Sequence, residues 1–192
     1  MADILKSAYV SASLQATLFS AVSYVLGQVV LSLKHSDKFV VDIDYIVLGR
    51  FMSWALVITP IGILWQQKLD NKFPSTKPKH GPSGTAISSK DSSKEYDQLN
   101  IFVKVALTET IFSIAVNSAF IAYITYLEHG DLNFTIAKIR TVVPGLWTSS
   151  IKVWPFVTYV SFGFIPPQFR VAFTSVVGLV WGIYVNAFVI SK

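Results

Sequence analysis

The sequence contains no cysteine, and only 14% of its 192 residues are charged. The first absence excludes disulfides and thiolate metal sites. The second leaves too little polar surface to cover a water-soluble globule, since an ordinary soluble domain carries about 25% charged residues. Histidine is scarce as well: His35, His80 and His129 lie far apart, and no zinc spacing can be built from them. Neither a phosphate-binding glycine loop nor a dinucleotide fingerprint occurs, and "HGPSG" is loop material rather than a nucleophile elbow. These absences argue against an enzyme, a metal and a bound cofactor. What is present is apolar: 52% of residues are hydrophobic, and the mean hydropathy is +0.52. That composition is the signature of a membrane protein.

Long uncharged or nearly uncharged runs mark the spans. They cover residues 9–33, 45–66, 101–127 and 171–190, each close to the ~20 residues that a helix needs to cross a bilayer. A helix satisfies its own backbone hydrogen bonds, so helices are the expected spanning form. Residues 67–100 are dense in Lys, Ser, Gly and Pro and are expected to be a flexible aqueous loop that includes Ser88, Ser89, Ser92 and Ser93. Lys68, Lys72, Lys77, Lys79, Lys90 and Lys94 fall in it, which places the loop on the cytosolic or matrix side. With four spans, both termini share that side. The start "MADILK" has neither the form of a secretory signal nor that of a matrix presequence, so targeting is expected to be internal. The net charge of +5 resides mostly in the lysine loop and suits lipid headgroups rather than nucleic acid.

A fifth element is shorter. "WPFVTYVSFGFIPPQFR", from Trp154 to Arg170, is too apolar for a surface loop and too short for a full span. Pro144 can start a helix there, Trp154-Pro155 can kink it, and Pro166-Pro167 can end it. The expected fold is therefore an all-α membrane bundle of four transmembrane helices plus a kinked, partly inserted Trp-Pro helix at about residues 144–165, preferred over a fifth full crossing from Pro144 to Phe164. Trp147, Trp154 and Tyr159 suit an interfacial position, and Arg170 anchors the last span.

The segment "KVWPFVTYVSFGFIPPQFRVAFTSVVGLVWGIYV" resembles the C-terminal signature of the Mpv/PMP family: Trp-Pro, then Gln, Asn-Phe, Val-Pro and Arg, and later Trp before Tyr-Leu-Ser. Trp154, Pro155, Phe162, Pro166, Arg170, Trp181 and Tyr184 hold that pattern here. Upstream, "RFMSWALVITPIGILWQQKLDNKFP" resembles the family's arginine, proline and tryptophan element through Arg50, Pro60, Trp65 and Leu69, in wording closest to fungal members. Several polar positions depart: Thr158 and Ser161 stand where the family has Gln and Asn, and Asn186 where it has Ser. The resemblance implies a small multi-pass protein of the peroxisomal or inner mitochondrial membrane, with the peroxisome preferred. It also implies a weakly selective channel for small hydrophilic metabolites, or else a non-conducting organising protein.

Candidate functional residues follow from periodicity. Glu109, Ser113 and Asn117 recur every four residues, share one face of the third span, and are candidates for a pore stripe with Arg50 and Lys152. A charged side chain at mid-membrane costs roughly 2.5–3.5 kcal/mol on insertion scales, so Glu109 needs a water-filled path or a partner such as Arg50 or Lys152. Lys104 lies about 140° around the helix from Glu109, and snorkelling to the interface is its expected role. Small residues form two further stripes: Ala12, Ala16, Ser20, Ser23 and Gly27 on the first span, and Ser175, Gly178, Gly182 and Asn186 on the last. They serve either close packing within the chain or a seam between copies in a homo-oligomer.

Overall fold

The structure, a computed structural model, describes residues 2–35, 43–76 and 96–185. The expectations for Ser88, Ser89, Ser92 and Ser93, for Lys77, Lys79, Lys90 and Lys94, and for Asn186 lie outside the described residues. Among the described residues, seven α-helices and one π-helical turn make up the fold. They are α1 (Ala2–His35), α2 (Tyr45–Lys72), α3 (Gln98–Leu107), the π turn (Thr108–Phe112), α4 (Ser113–His129), α5 (Leu132–Ser150), α6 (Trp154–Phe164) and α7 (Pro167–Val185). Among the described residues, extended backbone pairs only at the bridge between Thr76 and Tyr96.

Among the described residues, four segments are long and apolar enough to cross a membrane: Tyr9–Leu33, Tyr45–Lys72, Gln98–His129 and Pro167–Val185. The protein is thus an all-α membrane helix bundle. Its outward faces carry Leu14, Leu18, Leu56, Leu64, Ile111 and Val180, all exposed, as expected where lipid rather than water is the solvent.

Local chemistry sets the helix ends. Asp44 caps α2 by accepting the backbone N–H of Ile46 at 2.8 Å and of Val47 at 3.1 Å. Asp97 does the same for α3 through Asn100, and Asp131 for α5 through Asn133 and Phe134. Gly130, at φ 67°, ends α4 in the left-handed conformation that a residue with a side chain avoids. With Asp131 capping next in line, the chain reverses within two residues, and α5 packs antiparallel on α4.

Two helix boundaries differ from the sequence expectations. The expected loop at 67–100 begins later than its composition suggests, because α2 continues to Lys72 and buries Leu69. Pro144 lies inside α5 rather than at its first turn, and the helix breaks at Ile151–Val153, so that Pro155 occupies the first turn of α6.

The Trp-Pro element is accordingly built as two helices placed end to end. Together they run the length of α3 and α4: Phe134 lies 4.5 Å from the His129 ring, Val143 and Leu146 pack on Ile121, and Phe162 packs on Ile101. Tyr159 closes the series, its hydroxyl donating to Gln98 at 2.8 Å. This path returns the chain to the loop end, so α7 starts there and runs away from it, bringing Val185 to Ile121 and Val143. The last described residues therefore lie at the end of the bundle away from the loop, whereas both termini were expected on the loop's side.

Candidate functional site: a polar-walled cavity and an ion cluster

Between the helices lies a cavity of about 440 Å³. Glu109, Ser113 and Asn117 form one wall, so the periodic stripe does face the interior. Facing them are Ser20 and Ser23 of α1, Thr59 and Gln66 of α2, Thr158 and Ser161 of α6, and Thr174 and Ser175 of α7. Aromatic rings of Trp54, Trp65, Trp154 and Trp181 complete the lining, and among the described residues no Lys, Arg or His contributes to it.

Glu109 sits in the π turn and is 6% exposed. A π turn perturbs the regular ladder of backbone bonds and is common at functional sites. Two groups from the Trp-Pro element hold it. The Thr158 hydroxyl donates to the Glu109 carboxyl at 2.7 Å, and the Trp147 indole N–H donates to the Glu109 carbonyl at 2.8 Å. Trp147 is thus turned inward rather than placed at the interface. Thr158, a departure from the family pattern, is the hydroxyl that satisfies the buried acid.

Neither expected basic partner reaches Glu109. Arg50 donates instead to the Leu127 carbonyl at 3.0 Å, near the end of α4. Lys152 lies exposed in the break between α5 and α6. Both are absent from the cavity lining, because Arg50 is held at a helix terminus and Lys152 sits in the helix break.

Among the described residues, the buried basic side chains are two that sequence reading placed at interfaces. Lys104 is 0% exposed and Arg170 is 5% exposed. Both bond to Asp70 in the last turn of α2: Lys104 Nζ to Oδ1 at 2.8 Å, and Arg170 Nη1 to Oδ2. Lys104 also donates to Ser75 Oγ, and Arg170 Nε to the Ile165 carbonyl at 3.0 Å. Snorkelling fails for Lys104 because an acid on a neighbouring helix is nearer than water. Asp70 was not singled out in the sequence. Its surroundings, "KLDNK", read as loop, and only the neighbouring apolar Leu69 hinted that the helix continued.

The small-residue stripes of α1 and α7 meet within the chain. Ser23 Oγ donates to the Leu179 carbonyl at 2.8 Å, and a Cβ placed on Gly182 would lie 2.2 Å from Ser23 Oγ. Ser20 donates to the Phe51 carbonyl at 3.1 Å, and Gly27 is buried. Ala16, Ser175 and Gly178 border the cavity; Ala12 is half-buried on α1. Among the family-pattern residues, Trp65 donates to Thr108 Oγ1 at 3.2 Å and stacks on Phe112 at 5.1 Å. Trp154 meets Trp181 edge to face at 6.2 Å. Trp181 in turn lies 5.2 Å from Tyr184. The Pro166 carbonyl accepts from Phe169 at the start of α7, and Pro60 lies within α2 beside the Thr59-to-Ala55 bond of 2.7 Å. Among the described residues there is no group of three or more acidic, His or Cys side chains that could hold a metal ion.

A family model described as Mpv17 / PMP22 matches residues 125–186. The chain is 27% identical over 150 residues to PXMP2/4 family protein 3 of Dictyostelium discoideum, a match covering 78% of this chain and 71% of that protein. It is 28% identical over 83 residues to the mitochondrial inner membrane protein Mpv17 of Caenorhabditis elegans, covering 43% of this chain and 46% of the relative. With peroxisomal membrane protein 2 of Bos taurus the identity is 31% over 84 residues, covering 42% and 41%. The chain thus spans under half the length of these last two relatives. No solved structure matches it.

Proposed function

We propose that this chain, which belongs to the Mpv17 / PMP22 family, is an organelle membrane protein that conducts small hydrophilic solutes with little selectivity. The observation that carries this reading is the cavity of about 440 Å³ between helices of membrane-spanning length. Its volume falls within the roughly 300–1,000 Å³ of small-molecule sites, and its walls carry an acid and a set of hydroxyls and amides. Polar groups inside a membrane bundle are costly unless they meet water, one another or a solute. Here Glu109 takes a hydroxyl rather than a cation as its partner, so its carboxyl is not neutralised across the path. Among the described residues the lining carries one acid and no base, so it offers no cation to hold an anionic solute. Lipid and solute are the partners this reading needs.

The relatives' names divide between the inner mitochondrial and peroxisomal membranes. We infer the peroxisomal membrane for this chain from the fungal-type "TP…LWQ…FP" wording, and imaging of the tagged full chain against markers for both organelles tests that. Function is tested by the conductance of the purified chain in planar bilayers, with neutral solutes of graded size and a Glu109→Gln control. Size-limited openings altered by the substitution are expected. Silence from folded, inserted protein would instead favour the organising role through self-association.

A further inference from the structure

At the loop end of the bundle, one ring of the cavity lining carries two cations on its face. Phe162 lines the cavity and is 3% exposed. Lys104 Nζ lies over its ring at 4.4 Å from the centroid, and Arg170 Cζ at 5.0 Å. Such placement attracts a cation to the aromatic face. Both cations are drawn there by one carboxylate, Asp70, whose side chain is 27% exposed and outermost of the set. Leu69, Ile101 and Tyr159 pack around Phe162. From solvent inward the order is therefore Asp70, then Lys104 and Arg170, then Phe162, then the cavity.

We propose that Asp70, Lys104, Arg170 and Phe162 form a gate at the loop-side mouth of the cavity. The arrangement described here is its closed state. Opening is the parting of Asp70 from its two cations, which frees the Phe162 ring to leave the path. The proposal rests on the reading of the cavity as a solute route. Its physical basis is the charge count: two cations share one acid, so once the acid withdraws, like charges face each other and repel. Both side chains are long and flexible enough to turn toward water. Asp70, Lys104 and Arg170 stand on α2, α3 and α7, so a single carboxylate ties three helices together at the mouth.

The absence of cysteine supplies the test. A Ser175→Cys change puts the chain's sole thiol in the cavity wall. The full chain in liposomes is then treated with a charged, membrane-impermeant methanethiosulfonate, and a Thr76→Cys chain reports the fraction whose loop end faces out. A minor state typically holds about 0.1–10% of a population, so fixing the mouth open raises the labelling rate at residue 175 roughly tenfold or more. Asp70→Asn is expected to do so. Phe162→Ala is expected to do the same without touching any charge, which covers the case in which Asp70→Asn fails to fold. Unchanged labelling in both folded variants overturns the gate. Faster labelling without flux of neutral solutes keeps the gate and sinks conduction. Flux that is present in the unaltered chain and unchanged in both variants keeps conduction and sinks the gate.

Discussion

Gly178 and Gly182 form a GxxxG pair on α7, yet they should respond oppositely to the same substitution. A Cβ at Gly182 would lie 2.2 Å from Ser23 Oγ and 3.2 Å from Ser23 Cβ. The first contact forces the hydroxyl to rotate and break its 2.8 Å bond to the Leu179 carbonyl. Interhelical bonds of this kind contribute about 0.6 kcal/mol on average in membranes, and up to ~1.7. The second contact is backbone-anchored and requires α1 and α7 to separate slightly, an overpacking cost of about 1–3 kcal/mol. Against these stands the gain in helix propensity from Gly to Ala, about 0.8–1 kcal/mol. Gly182→Ala should therefore destabilise by roughly 1–3 kcal/mol. At Gly178 a Cβ meets nothing within 4 Å, so Gly178→Ala should be neutral or stabilise by up to about 1 kcal/mol.

The assay is reversible unfolding of the purified chain in mixed micelles, read by helicity, for both variants and for Gly182→Ala combined with Ser23→Gly. The double variant removes both clashing atoms and should recover most of the loss, giving a coupling of at least about 1 kcal/mol. Equal effects at residues 178 and 182, or no rescue by Ser23→Gly, would refute the intramolecular seam. The small residues would then have to be explained by contacts between copies.

Thr158→Val deletes the side-chain donor to the Glu109 carboxyl and should cost about 1–3 kcal/mol, with Thr158→Ser restoring it in the same unfolding assay. Asp70→Asn leaves two buried cations without their acid and should cost about 3–5 kcal/mol. Arg50→Gln loses one bond from a half-buried side chain and should cost no more than ~1 kcal/mol, with solute passage unchanged. Single cysteines at Thr76 and Gly130 should label from opposite sides of a sealed vesicle. A cysteine at Tyr184 should label with Gly130, and labelling with Thr76 would refute the path traced through α5 and α6.

The spans were legible because they follow from composition alone: about 20 apolar residues fit one bilayer thickness. The stripe of Glu109, Ser113 and Asn117 was legible because helix periodicity is local. Its partners were not, since Thr158 lies 49 residues from Glu109 and a hydroxyl leaves no charge pattern to match. Arg50 and Lys152 were attractive only as the basic groups at hand. The pairing of Lys104 with Asp70 spans 34 residues, and that of Arg170 with Asp70 spans 100. Sequence reading defaults such lone cations to the interface. Proline position misled in a different way. Pro144 is compatible with a first turn, but the adjacent Gly130 and Asp131 form a stronger start signal, and they decided where α5 begins.

Glu109, which is buried, and Asp70, which is partly exposed, are satisfied differently, and the difference bears on what the cavity can do. Asp70, at the end of the bundle, is matched by two cations that lock three helices together. Glu109, in the wall between the ends, is matched by a neutral hydroxyl. Had Arg50 or Lys152 reached Glu109, an ion pair would have crossed the cavity, satisfying the acid and filling the space at once. A hydroxyl donor satisfies the carboxyl from the α6 side and leaves the rest of the wall open. The π turn contributes to this placement, since Trp147 takes the Glu109 carbonyl and fixes the backbone from which the carboxyl projects. Ion pairing at the end of the bundle and hydroxyl satisfaction in the wall fit the proposed route for small polar solutes, because the wall then holds no salt bridge that a solute would have to displace.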